Sequence, residues 1–569
     1  MTTEPAGDRV EERIIGVYVE ERVMVRESPE LAPKRAAREI SGAALAWGVL
    51  GAVFLALRLG PIWQAPVGGA EWLHLSGAWQ ARIGDPDGRF VPSLFQGVST
   101  LILHVSASET GPRIAAFLAS ASIPAALWML RSKLGEAGAL ASLLLIALDA
   151  PAIAFGASAS AMGFDLPVAL WLLVLVSRDR PPRPGAVAVA SFVAVTAGPI
   201  PLPLVVAWAT LALARGTRPA AAQLAPLAIG AAAGVLAASL RFGLGFDGLR
   251  VPAVDLFAAS FEEAWASSSA FQLTMLYSPP ILVAAFGAAI ALIVFAQRGA
   301  EVPAFAVLLL AWFAFSLSWL LSSAGEHTPA PLVATTLPAA LLAGPALVQA
   351  AAAMRSADWR LARYLVPAAA AFLLFATAII IHWGQVDAVG GAQDRVMVGL
   401  LLGGAGVAAL AVALERRAAP ALFALGLGIA VFPVLAGTFG VALSAGAEPI
   451  PSPVSPPQAR ELRDLALARA KASEGIIVIH PSLEADATWP FRESGEITVA
   501  SRVPAGAAVV IWPSDLPAPE GMVPVAGAWS FARAHAAPDG FLRYVKWYTH
   551  RNATVSTSVP AAVYVGAAK

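Results

Sequence analysis

The chain has 569 residues, 58% of them hydrophobic and 13% charged. Soluble domains carry about 25% charged residues, so this composition calls for a lipid solvent and predicts a multi-pass membrane protein. Lys and Arg total 38 and Asp and Glu total 38, a balance that excludes the basic surface of a nucleic-acid binder. The chain has no Cys, which excludes disulfides, thiolate metal sites and thiol nucleophiles.

Residues 1–40 have mixed charge and are read as a cytoplasmic N-terminal segment. The apolar stretch Ser41–Gly60 follows Lys34, Arg35 and Arg38. It is long enough to cross a hydrocarbon core of ~30 Å, its basic flank belongs inside, and it starts too far along the chain for a secretory signal. Further apolar stretches fall at 110–131, 136–156, 162–177, 185–199, 201–214, 223–241, 273–296, 302–323, 329–353, 361–383, 395–414 and 420–443. Those at 162–177, 185–199 and 201–214 fall short of the ~20 residues of a full span and are expected to be tilted, broken or partly re-entrant.

One apolar piece, Pro92–Ser106, is shorter still, and loop charge decides it. If it lies on the outer surface without crossing, the inner side holds 16 Lys and Arg and the outer side seven. If it crosses, the ratio inverts. Positive-inside bias selects the first arrangement. Pro92–Ser106 is then an interfacial helix, and 13 spans follow.

An odd number of crossings places residues 450–569 outside. This tail opens with Pro451, Pro453, Pro456 and Pro457, a stiff linker. A helix-like stretch follows at 458–473, then Ile476–Ile479 and Val509–Trp512, β-branched runs that read as buried strands. The expected architecture is an all-α polytopic membrane domain of about 13 helices over residues 41–449, with a first outer loop at 61–109, and a small α/β extracytoplasmic domain over 450–569. No repeat of 20–50 residues and no matching halves of a transporter are visible.

The richest region runs from Trp63 to Arg113. It holds Gly68-Gly69-Ala70-Glu71-Trp72-Leu73-His74, then the interfacial helix, then Arg113 opening the next span. Leu134-Gly135-Glu136-Ala137-Gly138-Ala139-Leu140 begins the following helix, which ends in Leu148-Asp149-Ala150-Pro151. This order resembles the GT-C membrane glycosyltransferases, the group of the protein O-mannosyltransferases and aminoarabinose transferases. Those enzymes carry an Asp-Glu pair in the first outer loop, an interfacial helix, an Arg at the next span and an LG…GAL…SP-like third helix. Within the group the chain is most similar to the flippase-activity-associated membrane proteins, whose loop reads roughly DE-x-x-H. In the tail, Ala487-Thr488-Trp489-Pro490-Phe491-Arg492 and Phe541-Leu542-Arg543-Tyr544 resemble that family's Trp-Pro…Arg and terminal aromatic-basic stretches.

The chain also departs from that pattern. Ala70 stands where the family has Asp. The family's Ser-Arg…Arg-Glu/Asp segment is replaced by Gly156-Ala157-Ser158-Ala159-Ser160-Ala161-Met162-Gly163-Phe164-Asp165, which keeps an acid at Asp165 but no arginine. The family's Lys-Glu after the fifth helix is Gly198-Pro199.

The resemblance implies transfer of a sugar from a polyprenyl-phosphate donor to an acceptor hydroxyl on the outer face of the cell membrane. Such a reaction needs a carboxylate to take the hydroxyl proton and cations or backbone dipoles to hold the leaving phosphate. Glu71 is the first candidate base, the alternative being a solvated loop acid. His74 shares its face if the stretch is helical, and is otherwise an interfacial packing residue. Asp149 and Asp165 are further candidates, because a carboxylate at membrane depth is costly; capping a helix is the alternative for both. Arg113, Arg241, Arg250 and His327 are the candidate donor-binding groups, with anchoring at the interface as the alternative for an Arg at a span end.

Glu71, His74 and the neighbouring acids do not make a recognised metal-ligand spacing, so no cofactor is expected and a divalent metal has no support. The sequon Asn552-Ala553-Thr554 is taken as a chance match. The partners expected are the lipid-linked sugar donor and the bilayer, with no nucleic acid and an acceptor, protein or glycan, that the sequence does not name. The alternative function is a catalytically inactive GT-C relative that binds or helps to flip lipid-linked sugars, which the missing Asp and Arg residues favour.

Overall fold

The computed structural model describes residues 41–64, 67–68, 70–83, 93–178, 183–214, 221–240, 269–323, 329–356, 434–435, 437–439, 441–442, 457–473, 475–483, 489–492, 497–525, 527, 529–536 and 555–566. Two compact units divide the chain, Met1–Leu45 and Ala46–Lys569. In the first, the described residues are Ser41–Leu45, where the Ser41 hydroxyl accepts from the Ala44 amide at 3.1 Å. The elements below belong to the second, apart from Gly42–Leu45, the first residues of α1.

Its first part is a helical bundle of α1 (Gly42–Gln64), α2 (Ala70–Ile83), α3 (Leu94–Val105), α4 (Thr110–Ser120), α5 (Ile123–Leu134), α6 (Glu136–Leu148), α7 (Ala150–Gly156) and α8 (Met162–Val176). It continues with α9 (Pro184–Ala197), α10 (Leu202–Ala214), α11 (Ala221–Ser239), α12 (Ala270–Tyr277), α13 (Pro279–Gln297), α14 (Ala304–Ser322) and α15 (Ala330–Ser356). Among the described residues, five helices are long and apolar enough to cross a membrane, and six if α6 and α7 together make one bent span. The expected spans at 361–383 and 395–414, and most of 420–443, lie outside the described residues.

Two expected single spans are broken. The stretch 136–156 bends by 70° where α6 gives way to α7 at Asp149. The stretch 273–296 divides into α12 and α13 at Ser278. The cause is the same in both: Pro151, and the pair Pro279-Pro280, lack the N–H a continuing helix would donate and favour the first turn of a new one. The piece 92–106 is one short helix, α3, capped by Ser93, whose hydroxyl accepts from the Gln96 amide at 3.2 Å.

The most deeply buried long helix is α15, which packs against α6, α13 and α14. Its contact with α6 depends on small residues. A Cβ on Gly344 would lie 2.2 Å from the Ser142 hydroxyl, so no larger residue allows this approach.

The C-terminal part pairs α16 (Pro457–Ser473) with six strands: β1 (Ile476–Ile479), β2 (Ile497–Val499), β3 (Ala507–Pro513), β4 (Met522–Pro524), β5 (Trp529–Ala536) and β6 (Val555–Gly566). The sheet order is β2-β1-β3-β6-β4, with β5 also on β6. Strands β1, β2 and β3 run parallel, whereas β6 is antiparallel to β3, β4 and β5. Period-two alternation sets the two faces: Ile477, Ile479, Val509, Ile511, Ala561 and Val563 pack with Ala459, Leu462 and Ala466 of α16, whereas Val478, Val510, Trp512 and Tyr564 face the other way. The chain is therefore a helical membrane protein with a small C-terminal sheet domain.

Candidate functional site

Residues 70–83 form α2, so Glu71 and His74 share a helix face one turn apart. Both are buried, Glu71 at 4% exposure. Its carboxylate pairs with Arg113 of α4, which donates from Nε to Oε1 at 2.9 Å and from Nη2 to Oε2 at 2.7 Å. A two-pronged pair of this kind fixes the relative orientation of two helices. Arg113 also donates from Nη1 to the Ile62 carbonyl at 3.2 Å. The Ala159 amide donates to Glu71 Oε1 as well. Glu71 is thus no solvated loop acid; it joins α2, the start of α4 and the turn before α8.

His74 receives the Ala161 amide on Nε2 at 3.3 Å and meets the Phe95 ring edge-on, with centroids 5.7 Å apart. Phe95 in turn packs on Phe164 at 5.1 Å. The turn 157–161 therefore lies across α2 and gives one backbone N–H to each of the two polar residues singled out in the sequence. Its run of Ala and Ser makes this approach feasible, since no side chain in it is larger than a hydroxymethyl group.

Asp165 follows on the first turn of α8 and is fully buried. Its carboxylate lies against the backbone of Gly198, at the C-terminus of α9. A Cβ there would fall 2.1 Å from Oδ2, and the φ of +156° is itself unfavourable for other residues. Asp149 lies elsewhere, at the α6–α7 bend. Its Oδ2 accepts from the Ala152 amide at 3.2 Å and from the Thr336 hydroxyl at 3.4 Å, and its Oδ1 accepts from the Ser278 hydroxyl at 3.0 Å. It caps α7 and ties together the two helix breaks and α15. Arg241, Arg250 and His327 lie outside the described residues.

Sequence reading missed four contributors. The Ala159 and Ala161 amides carry no side-chain signal. Gly198 was visible only as a departure from Lys-Glu. Arg58, at the end of the first apolar stretch, is fully buried, donates to the Phe54 and Ile146 carbonyls at 3.1 Å each, and covers the Phe54 ring at 3.6 Å. Among the described residues, no three of His, Asp and Glu gather in a metal-binding group.

No family model matches the chain, and no curated protein matches it. Solved structures do. ArnT from Cupriavidus metallidurans bound to undecaprenyl phosphate superposes with a TM-score of 0.54 at 14% identity, over 92% of this chain and 99% of that one. The chain shares the ArnT fold. The apo structure of the same protein gives 0.52 at 14% identity, over 93% of this chain and 100% of that one. The likeness bears out the expected architecture, a helical membrane domain followed by a small C-terminal sheet domain. At this identity it speaks for the fold alone.

Proposed function

We propose that the protein is a GT-C-type membrane glycosyltransferase that moves a sugar from a polyprenyl-phosphate donor to an acceptor hydroxyl at the outer face of the cell membrane. The observation that carries this reading is the likeness, over nearly the full length of both chains, to a structure bound to undecaprenyl phosphate. In the reaction the acceptor oxygen bonds to the sugar's anomeric carbon, the bond from that carbon to the phosphate oxygen breaks, and the phosphate leaves on its lipid. The acceptor proton passes to a carboxylate.

Asp165 is the carboxylate assigned to that proton. Glu71 is committed to Arg113 and the Ala159 amide, and protonating it would strand a buried guanidinium. Asp149 caps α7 at the α6–α7 bend and, among the described residues, makes none of the contacts of the turn 157–161. Asp165 is fully buried on the first turn of the apolar helix that begins just after the turn carrying the Ala159 and Ala161 amides, and a carboxylate buried in such a helix is a candidate functional group. Glu71 and Arg113 then hold the layer in shape, His74 is a donor contact, and Arg241, Arg250 and His327 remain the groups proposed for the donor phosphate.

A second reading, a non-catalytic relative that binds or helps to flip lipid-linked sugar, is favoured by one observation: Glu71 accepts three hydrogen bonds from internal partners. The test is purified protein in nanodiscs with a radiolabelled polyprenyl-phosphate sugar and an extract of cell-envelope acceptors. Transfer lost in Asp165→Asn supports the first reading. Donor bound without turnover supports the second, and neither binding nor turnover removes both.

A further inference from the structure

The turn Trp489–Arg492 joins the two parts of the chain, and the chemistry above leaves it unused. Trp489 is 3% exposed, and its ring sits outside the core of its own domain. It belongs to the buried cluster of Val67, Trp72, Leu75, Phe95, Ala159 and Ala161. Two residues later, Phe491 is fully buried in the core beneath the sheet. Arg492 fastens the turn from above. Its Nε and Nη2 donate to the Ala107 carbonyl at 3.0 and 2.8 Å, and its Nη1 donates to the Trp489 carbonyl at 2.9 Å. Its guanidinium covers the Trp489 ring at 3.9 Å and lies 3.8 Å from Glu109.

Ala159 and Ala161 of that same cluster are the two residues whose amides reach Glu71 and His74. A turn of sequence Ala-Ser-Ala-Ser-Ala has little side chain with which to hold its own position. Within it, the Ser158 and Ser160 hydroxyls meet at 2.8 Å, Ser158 also donates to the Phe155 carbonyl and the Ser160 amide to the Ser158 carbonyl, and the Ala159 and Ala161 side chains bury in the cluster that holds Trp489. An indole buries on the order of 200 Å², more than any side chain of the turn can offer. We infer that Trp489 is a positioning residue: through it the C-terminal domain presses the turn 157–161 onto Glu71 and His74, which makes that domain a part of the site. This rests on reading the Glu71–His74 layer as part of the polyprenyl-phosphate site.

The test uses the full chain in nanodiscs, comparing the parent with Trp489→Ala, Trp489→Leu and Trp489→Phe. Hydrogen exchange is followed over residues 157–161 and over β3 as a control, and affinity is measured for undecaprenyl phosphate. In the Leu and Ala variants, the 157–161 amides should exchange at least about tenfold faster while β3 stays protected. Undecaprenyl phosphate affinity should fall about tenfold, and Phe should restore most of both. Unchanged protection at 157–161 in the Leu and Ala variants overturns the positioning role and leaves the proposed function standing. Lost protection with unchanged lipid affinity overturns the inference, and with it the reading of that layer as the lipid site. If the Ala variant does not fold, the Leu variant carries the same readouts.

Discussion

Arg113→Met removes both charge-assisted bonds to Glu71, at 2.9 and 2.7 Å, and leaves that carboxylate with the Ala159 amide as its remaining partner among those described. Both partners are almost wholly buried, at side-chain exposures of 2% and 5%, so solvent cannot take over from the lost cation. Breaking a buried pair from one side costs about 3–5 kcal/mol, whereas replacing both members with apolar groups of similar size is often close to neutral. The double variant Glu71→Met with Arg113→Met still leaves the Ala159 amide unmet, at about 1–3 kcal/mol. The single change should therefore destabilise by about 3–5 kcal/mol and the double by about 1–3, a coupling far outside additivity. The assay is a four-corner cycle of SDS-induced unfolding in mixed micelles, followed by tryptophan fluorescence. A loss below about 1 kcal/mol for Arg113→Met, the range of an exposed pair, with additive double-variant behaviour, would refute the keystone role.

Other outcomes follow from the same geometry. The exposed pair of Arg460 and Glu109, 3.3 Å apart, should yield no more than about 1 kcal/mol when Arg460→Ala is measured in the same assay. Gly198→Ala would place a methyl group on the Asp165 carboxylate and should destabilise by about 1–3 kcal/mol. Adding Asp165→Ala should recover much of that stability while sugar transfer stays absent, and no recovery would mean the two residues do not touch. Because the chain has no Cys, single cysteines report sidedness cleanly. Ser514→Cys, exposed in the sheet domain, should react with a membrane-impermeant maleimide in intact cells, and Lys133→Cys should react only after permeabilisation; the reverse pattern would invert the orientation read from loop charge.

The helices of the bundle were legible because an apolar run of about 20 residues has few alternatives in a membrane protein. The strands Ile476–Ile479 and Val509–Trp512 were legible for a related reason: both faces of the sheet are covered at those positions, so they read as unbroken β-branched runs. Strand β6 was missed because it carries Pro560 and a Ser-Thr-Ser stretch, which gives no hydrophobic alternation. The bend at Ser278 escaped because average hydropathy does not register a lost backbone hydrogen bond, whereas the helix end at Leu148–Pro151 and the capping alternative for Asp149 were legible. At the site, the sequence marked Glu71, His74, Arg113 and Asp165 as notable. What it could not supply was the pairing across 42 residues that turns Glu71 from a free base into a tied one, or the two alanine amides, whose role is carried entirely by backbone.

The most direct check of the account is a structure of the full chain in nanodiscs with undecaprenyl phosphate. The account predicts the lipid's phosphate bound beside the layer of Glu71, His74 and the turn 157–161, with Asp165 facing the space where the sugar would sit. A lipid bound away from that layer, or an Asp165 carboxylate closed off from the bound phosphate by α8 and Gly198, would contradict it.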